Sequence, residues 1–379
     1  MVGNNHFFFY NQYMKYFNTL IKPASSHCNM RCKYCFYHDI SSKREIYSND
    51  IMTIDVAYAL IDNILNYFKE EVEITFAFQG GEPTLVGLDF YRYFVNYVNQ
   101  KKNDYHFIHY SIQTNGILLN DEWIDLFKNH HFLVGISLDG FIENHNCVRV
   151  FDHNKPSYDI VMNHIKKLEE NDISFNILTV LTSQLSKKPK ELFDFYKKNS
   201  FKYVQLIPCL PEFGKMKNQY SLKPKEFFEF YQQLFPMWFH EVEKGNIIHF
   251  NHFDNLLLLF RRQYPYQCGY LGYCNMQFVI ESDGSVYPCD FFCFDKYKIG
   301  NILENSISEL AKSKILHHFL KEEKRISSLC QTCKFKGICN GNCKRQNICY
   351  FDDKYCALKE FMTLYERYFH YLGQVKKSA

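Results

Sequence analysis

The sequence lacks any run of about 18 apolar residues, so it carries no membrane-spanning helix of ordinary length. It is also short of net charge, with 44 lysines and arginines against 41 acidic residues leaving +3 over 379 positions. So small an excess provides neither the basic surface that nucleic acid requires nor an acidic tail for a basic partner. Met1 to Phe9 form an aromatic patch without the basic segment and long apolar stretch of a secretory leader. The expectation is a cytoplasmic protein with neither nucleic acid nor membrane as partner. Short-period repeats and low-complexity segments are missing too. What is left is a chain long enough to bury a large core, with room for one big domain and a smaller one.

Cysteine is what the sequence has in excess, with fifteen. Disulfide frameworks belong to small exported domains. In a chain without an export signal, clustered thiols at short spacing indicate metal or redox chemistry. Their distribution is uneven. Cys28, Cys32 and Cys35 lie near the start, ten lie from Cys268 to Cys356, and only Cys147 and Cys209 fall between.

From about Thr19 to Pro208, β-rich runs alternate with amphipathic helical stretches. Strands are expected at Leu20–Ala24, Val72–Phe78, Ile108–Gln113, Leu133–Leu138, Phe175–Leu181 and Tyr203–Pro208, with helices such as Ile54–Phe68, Leu88–Asn99 and Tyr158–Asn171 between them. Such alternation implies right-handed βαβ units and a mostly parallel sheet. Six units are too few for a closed eight-fold barrel, so the expected class is α/β with a partial (β/α)6 TIM-like barrel. Beyond Pro211, helices are expected at Lys223–Glu243 and Phe253–Arg262. Then Gln277–Ile280 and Val286–Tyr287 flank Ser282-Asp283-Gly284 as a β-hairpin, and Phe361–Leu372 closes the chain. The expected divisions are an extension at 1–18, the partial barrel at 19–230, a helical linker at 231–263, a Cys-rich domain at 264–362, and a helix and tail at 363–379.

Cys28-Asn-Met-Arg-Cys32-Lys-Tyr-Cys35 places three thiols on one loop directly after the first strand. Such a loop can hold three irons of a four-iron cube and leave the fourth open to a chelating small molecule. A zinc knuckle is the alternative, but its four-ligand shell would need His27 or His38. C-x3-C-x2-C in this setting resembles the radical S-adenosylmethionine superfamily. That resemblance implies a cluster on Cys28, Cys32 and Cys35, with Phe36 covering the adenine side. It also implies that Gln79-Gly80-Gly81-Glu82-Pro83 is the glycine-rich element meeting the cofactor's amino group through Gly80, Gly81 and Glu82. Ser137 and Arg149 become candidates for its ribose and carboxylate. His27, bulky where a small residue is expected, reads as a solvated loop side chain.

The order Cys268-x5-Cys274, Cys289, Cys330-x2-Cys333-x5-Cys339-x3-Cys343, Cys356 resembles the SPASM extension, which holds two auxiliary [4Fe-4S] clusters, three in all with the first. By that resemblance Cys268, Cys274, Cys289 and Cys343 hold one, and Cys330, Cys333, Cys339 and Cys356 the other. Cys349 competes with Cys356. A double zinc ribbon would use the same Cys-x2-Cys pairs. Cys147, Cys209, Cys293 and Cys349 read as small apolar or loop residues.

Lys22-Pro23-Ala24-Ser25-Ser26, Cys35-Phe36-Tyr37-His38 and Tyr287-Pro288-Cys289-Asp290-Phe291 together resemble the anaerobic sulfatase-maturating enzymes. The similarity spans about Leu20 to Tyr371. It implies oxidation of a cysteine or serine of a sulfatase to Cα-formylglycine, with S-adenosylmethionine as cofactor and a reductant such as flavodoxin or ferredoxin as partner. Asp290 is then the proton acceptor, beside a cluster ligand, and Tyr37 and Gln79 orient the substrate. A maturase of ribosomally made peptides, forming thioether or carbon–carbon crosslinks or epimerising a residue, is the alternative enzyme. A zinc-stabilised binding module is the alternative that is no enzyme.

Overall fold

The computed structural model describes residues 9–11 and 14–375. Residues 1–8, 12, 13 and 376–379, parts of the expected extension and tail, lie outside the described residues. The strands are β1 (Phe9–Asn11), β2 (Met14–Ile21), β3 (Val72–Phe78), β4 (His106–Thr114), β5 (Leu133–Ser137), β6 (Phe175–Leu181), β7 (Tyr203–Pro208), β8 (His249–Phe250), β9 (Val279–Ile280), β10 (Ser285–Tyr287) and β11 (Gly300–Asn301).

The chain divides into two compact units, neither contiguous in sequence. The first comprises residues 1–137, 149–175 and 275–322, and the second residues 138–148, 176–274 and 323–379. In the first unit the strand order is β11-β10-β9-β2-β3-β4-β5. β2 to β5 run parallel, β9 joins β2 in parallel, and β10 and β11 continue antiparallel. In the second unit β6, β7 and β8 are parallel neighbours. The α/β class read from the alternation is the class observed, and five of the six expected strands start within two residues of their predicted positions.

The first strand differs. It is expected at Leu20–Ala24 but runs over Met14–Ile21. Phe17, Thr19 and Ile21 face inward at period two, so the alternation begins well before Leu20. Pro23, which lacks an amide hydrogen, starts a turn instead of prolonging the ladder. Elsewhere, local chemistry explains the elements. Thr53 caps the helix Ile54–Tyr67 by accepting from Val56 N at 3.4 Å. Its buried positions Val56, Ala57, Leu60, Ile61, Ile64 and Leu65 recur at helical spacing. The predicted hairpin forms, with Gly284 in the left-handed region at φ 81° and Glu281 N bonded to Ser285 O at 2.9 Å. One continuous helix, Pro224–Glu243, crosses the division expected at 230/231, because its buried face runs through Phe227, Phe230, Tyr231, Leu234, Phe235 and Trp238 without a break. A second helix, Ala357–Val375, crosses the one at 362/363. Among the described residues no helix is long and apolar enough to span a membrane. No disulfide joins any of the fifteen cysteines among the described residues.

Aromatic rings fill both cores. In the second unit His252 lies among Phe227, Tyr231 and Phe361, its Nδ1 2.8 Å from Tyr270 Oη. Burial lowers the His252 pKa from 6.5 to about 3. The unfolded chain therefore binds the extra proton between those values. The stability that neutral His252 contributes is complete above about pH 6.5 and is lost as pH falls toward about 3. His252→Phe should flatten that acid limb by about 1.4 kcal/mol per pH unit, measured by urea unfolding at a series of pH values. An unchanged slope would remove His252 as its source.

Candidate functional site

Behind β2 the chain turns at residues 22–27 and enters the thiol loop. Cys35 closes that loop, bonding to Cys32 O at 3.1 Å, and is the N-cap of the helix Phe36–Ser41. The Met30 amide donates to Cys28 Sγ at 3.4 Å. Asn115 Nδ2 stands 3.9 Å from the same sulfur and 2.7 Å from Asn29 Oδ1. Burial pushes the Cys28 thiol up to about 11; the Met30 amide opposes this, Glu82 and Cys35 add to it, and Arg149 lowers it. Thus Glu82, Cys35 and Arg149, far apart in sequence, gather within electrostatic reach of Cys28. Arg149 is buried and donates from Nη1 to Tyr34 Oη at 2.9 Å. Ser137 is buried at the end of β5, and His27 is exposed.

The glycine pair has a steric reason the sequence does not disclose. A Cβ on Gly81 would lie 2.1 Å from His27 O, and one on Gly80, whose φ is +122°, 2.9 Å from Ser25 O. Backbone crosses backbone here: Gly81 N bonds to Ser25 O at 2.9 Å and Glu82 N to His27 O at 2.8 Å. The end of β3 therefore clamps the residues leading into Cys28. Glu82 is buried and already accepts from Thr84 N, Thr84 Oγ1, Thr114 Oγ1 and Asn115 N at 3.1, 2.6, 2.6 and 2.7 Å. Its carboxylate ties the end of β3 to the end of β4.

A second cluster forms around Asp290. Its Oδ2 accepts from Tyr37 Oη at 2.8 Å and Gln79 Nε2 at 3.2 Å, and Gln79 Nε2 also reaches Tyr37 Oη at 2.7 Å. Its Oδ1 pairs with Lys22 Nζ at 2.8 Å. Lys22 also approaches Cys293 Sγ at 3.3 Å and Glu281 Oε1 at 3.4 Å, and Arg44 Nη1 meets Glu281 Oε1 at 2.9 Å. Burial works against the Lys22 charge, yet Asp290, Cys293, Glu281 and Tyr37 hold its pKa well above the ordinary lysine value. Burial, then Asp290, raises the Tyr37 pKa, so the phenol stays protonated and donates. Phe36 packs on Phe291 at 5.3 Å between ring centroids, bringing the thiol loop beside Asp290. The structure thus unites Phe36, Tyr37, Gln79 and Asp290. Lys22, Arg44, Glu281, Tyr34 and Asn115 were not singled out as site residues. Only Lys22 had a local signal, as a lysine continuing a buried apolar run without a turn before it.

In the second unit the C-terminal thiols form two groups. Burial pushes Cys268 up to about 12, and Cys343 and Cys274 reinforce the shift. Gly269 packs so closely that a Cβ there would lie 3.0 Å from Cys343 Cβ. Burial pushes Cys339 up to about 11; the Gly341 amide opposes this, and Cys356, Cys330 and Cys333 add to it. Cys356 therefore stands with Cys330, Cys333 and Cys339. Cys349 is buried elsewhere, 3.6 Å from Cys209 O. Cys289 belongs to the first unit, and its pairing with Cys268, Cys274 and Cys343 rests on motif order alone. The donor sets fit iron–sulfur clusters: they are thiol-only, and backbone amides aim at Cys28 and at Cys343 (from Arg345 N, 3.4 Å), which favours thiolate.

Residues 23–196 match the family model of the radical SAM superfamily. Residues 268–334 match that of an iron–sulfur cluster-binding domain, SPASM. Fold, thiol loop and these matches define a radical S-adenosylmethionine protein with a SPASM extension. The cysteine-type anaerobic sulfatase-maturating enzyme of Clostridium novyi is 40% identical over 372 residues, 96% of this chain and 98% of that one. The serine-type enzyme of Bacteroides thetaiotaomicron is 27% identical, covering 96% and 91%. The solved structure "Native anSMEcpe with bound AdoMet and Kp18Cys peptide" superposes with a TM-score of 0.86 at 34% identity, covering 94% of this chain and 99% of that one. The chain belongs to the anaerobic sulfatase-maturating enzyme family.

Two outcomes follow from this geometry. Gly81→Ala must push the residues before Cys28 aside and should cost the N-terminal cluster, about four irons per chain, in an iron and sulfide assay after anaerobic reconstitution. Full iron content would refute the clamp. Lys22→Met leaves two buried carboxylates short of a counter-ion and should destabilise the fold by about 3–5 kcal/mol in denaturant unfolding.

Proposed function

We propose that this chain oxidises a cysteine or serine side chain in a sulfatase-type polypeptide to Cα-formylglycine. The single observation that carries the mechanism is the Asp290 carboxylate, one residue after Cys289 and held by Lys22, Tyr37 and Gln79. Cys28, Cys32 and Cys35 hold the first [4Fe-4S] cluster. Cys268, Cys274, Cys289 and Cys343 hold the second, and Cys330, Cys333, Cys339 and Cys356 the third. When bound, these clusters and S-adenosylmethionine supply the radical that takes a hydrogen atom from the substrate Cβ and the sink for the electron then released.

The protein's own groups do the remaining work. Gly80, Gly81 and Glu82 shape the turn that meets the cofactor's amino group. Arg149, fixed by Tyr34, serves its carboxylate, Ser137 its ribose and Phe36 its adenine. Tyr37 and Gln79 orient the substrate thiol or hydroxyl toward Asp290, which accepts its proton. Lys22 remains cationic throughout and keeps a fixed counter-ion against the carboxylate. Half-buried Phe36 and Phe291 pack against each other beside this carboxylate.

Cysteine is the favoured target, because the Clostridium novyi relative is a cysteine-type enzyme at 40% identity and the serine-type relative stands at 27%. Clustered cysteines at metal-binding spacing suit a reducing cytoplasm, with a reductant such as flavodoxin or ferredoxin supplying electrons.

Anaerobic incubation with S-adenosylmethionine, reductant and a Cys-x-Pro-x-Arg peptide should give 5′-deoxyadenosine and a peptide whose thiol has become an aldehyde. Asp290→Asn should still cleave the cofactor but form aldehyde about 10²–10⁴-fold more slowly. Product formation at the unchanged rate would dismiss Asp290 as the base.

A further inference from the structure

Lys324 has no place in the mechanism above, yet it joins the loops of the two cysteine sets in the second unit. Its Nζ donates to Gly272 O, to Asn340 O at 2.6 Å and to Asn342 O at 2.9 Å. Gly272 lies between Cys268 and Cys274, whereas Asn340 and Asn342 lie between Cys339 and Cys343. The two loops meet backbone to backbone: a Cβ on Gly272, whose φ is +71°, would lie 2.4 Å from Cys339 O. Three carbonyls match the three donors of an ammonium. Burial lowers the Lys324 pKa below the ordinary lysine value, and Cys274 and Cys343 of one set and Cys339 and Cys330 of the other oppose the shift, so all four lie within electrostatic reach of the ammonium.

Reduction adds one negative charge to a centre already surrounded by thiolates, with no bond made or broken. A half-buried cation fixed by three carbonyls within reach of both centres stabilises that added charge at each. Stabilising both together makes it easier for either to accept the substrate's electron, while leaving transfer between them nearly balanced. We propose that Lys324 is a shared counter-charge for the two auxiliary clusters, a positioning residue that sets their common reduction equilibrium. This rests on the assignment of those cysteines to two clusters. Iron and sulfide content, measured before any potential, tests that assignment separately.

The test is a redox titration of the anaerobic holoenzyme followed by electron paramagnetic resonance. The auxiliary signals are told from the N-terminal one by their indifference to added S-adenosylmethionine. K324Q keeps donors without charge, K324M removes both, and K324R keeps the charge. In iron-replete K324Q or K324M the reduced-to-oxidised ratio at fixed poise should fall at least tenfold at both auxiliary clusters, about 59 mV for one electron, and K324R should stay within threefold of the unmodified protein. Unchanged ratios in the uncharged variants, a shift at one cluster only, or an equal shift in K324R would each overturn the proposal. Loss of auxiliary iron in every uncharged variant would overturn it too, because the lysine would then build the loops and not tune them.

Discussion

Four charges withdrawn from water, Lys22, Arg44, Glu281 and Asp290, impose the arrangement on which the candidate site depends. Each buried ion would cost several kcal/mol if left alone. Two cations and two anions cancel that cost only when the end of β2, the segment after the first helix, the tip of the hairpin and the turn after Cys289 all meet. The Asp290 side chain is thereby held by long-range partners and not by its own short turn. Ser25 Oγ, which donates to Glu281 Oε2 at 2.8 Å, extends the network into the turn before the thiol loop. The residues around the first three thiols and the proposed proton acceptor are thus parts of one electrostatic unit.

The same logic explains why the units are discontinuous. The hairpin of β9 and β10 lies within the Cys-rich stretch of the sequence, but it extends the sheet of the first unit, with Leu20 N bonded to Phe278 O at 3.1 Å and Lys22 N to Ile280 O at 2.8 Å. A ladder of backbone bonds, and not a tether, sets the height of Asp290 above Tyr37 and Gln79. The remaining thiol pairs, Cys330 to Cys333 and Cys339 to Cys343, need only short local turns and stay with the second unit.

Much of this was legible in the residues because it is local. Strand-type runs mark β3, β6 and β7 to the residue, with alternating burial in β3 and β7, and Cys-x3-Cys-x2-Cys directly after a strand marks the thiol loop. Resemblance to a family led to Asp290, Tyr37 and Gln79, and the structure brings the three together. What escaped is non-local or negative. Glu281 and Arg44 look like surface charges until their partners, 237 positions apart, come together. That the glycine pair also lets backbone cross backbone, with Ser25 O and His27 O beside it, shows only in the folded chain. Spacing leaves Cys349 and Cys356 as alternatives beside Cys330, Cys333 and Cys339; in the fold Cys349 is buried against Cys209 O, whereas Cys356 lies within electrostatic reach of those three.

β2 opens the sheet, yet on its outer side it pairs with β9, and Thr19 Oγ1 donates to Phe278 O across a separation of 259 residues. Until that partner has been synthesised, the first long strand exposes an unsatisfied backbone edge, the kind of surface that invites association between chains. The β2–β9 ladder can therefore close only after residue 280 has been made. Closing so long a loop makes folding slow as well. A chain that must acquire oxygen-sensitive inorganic centres thus leaves its thiol loop accessible for much of its own synthesis.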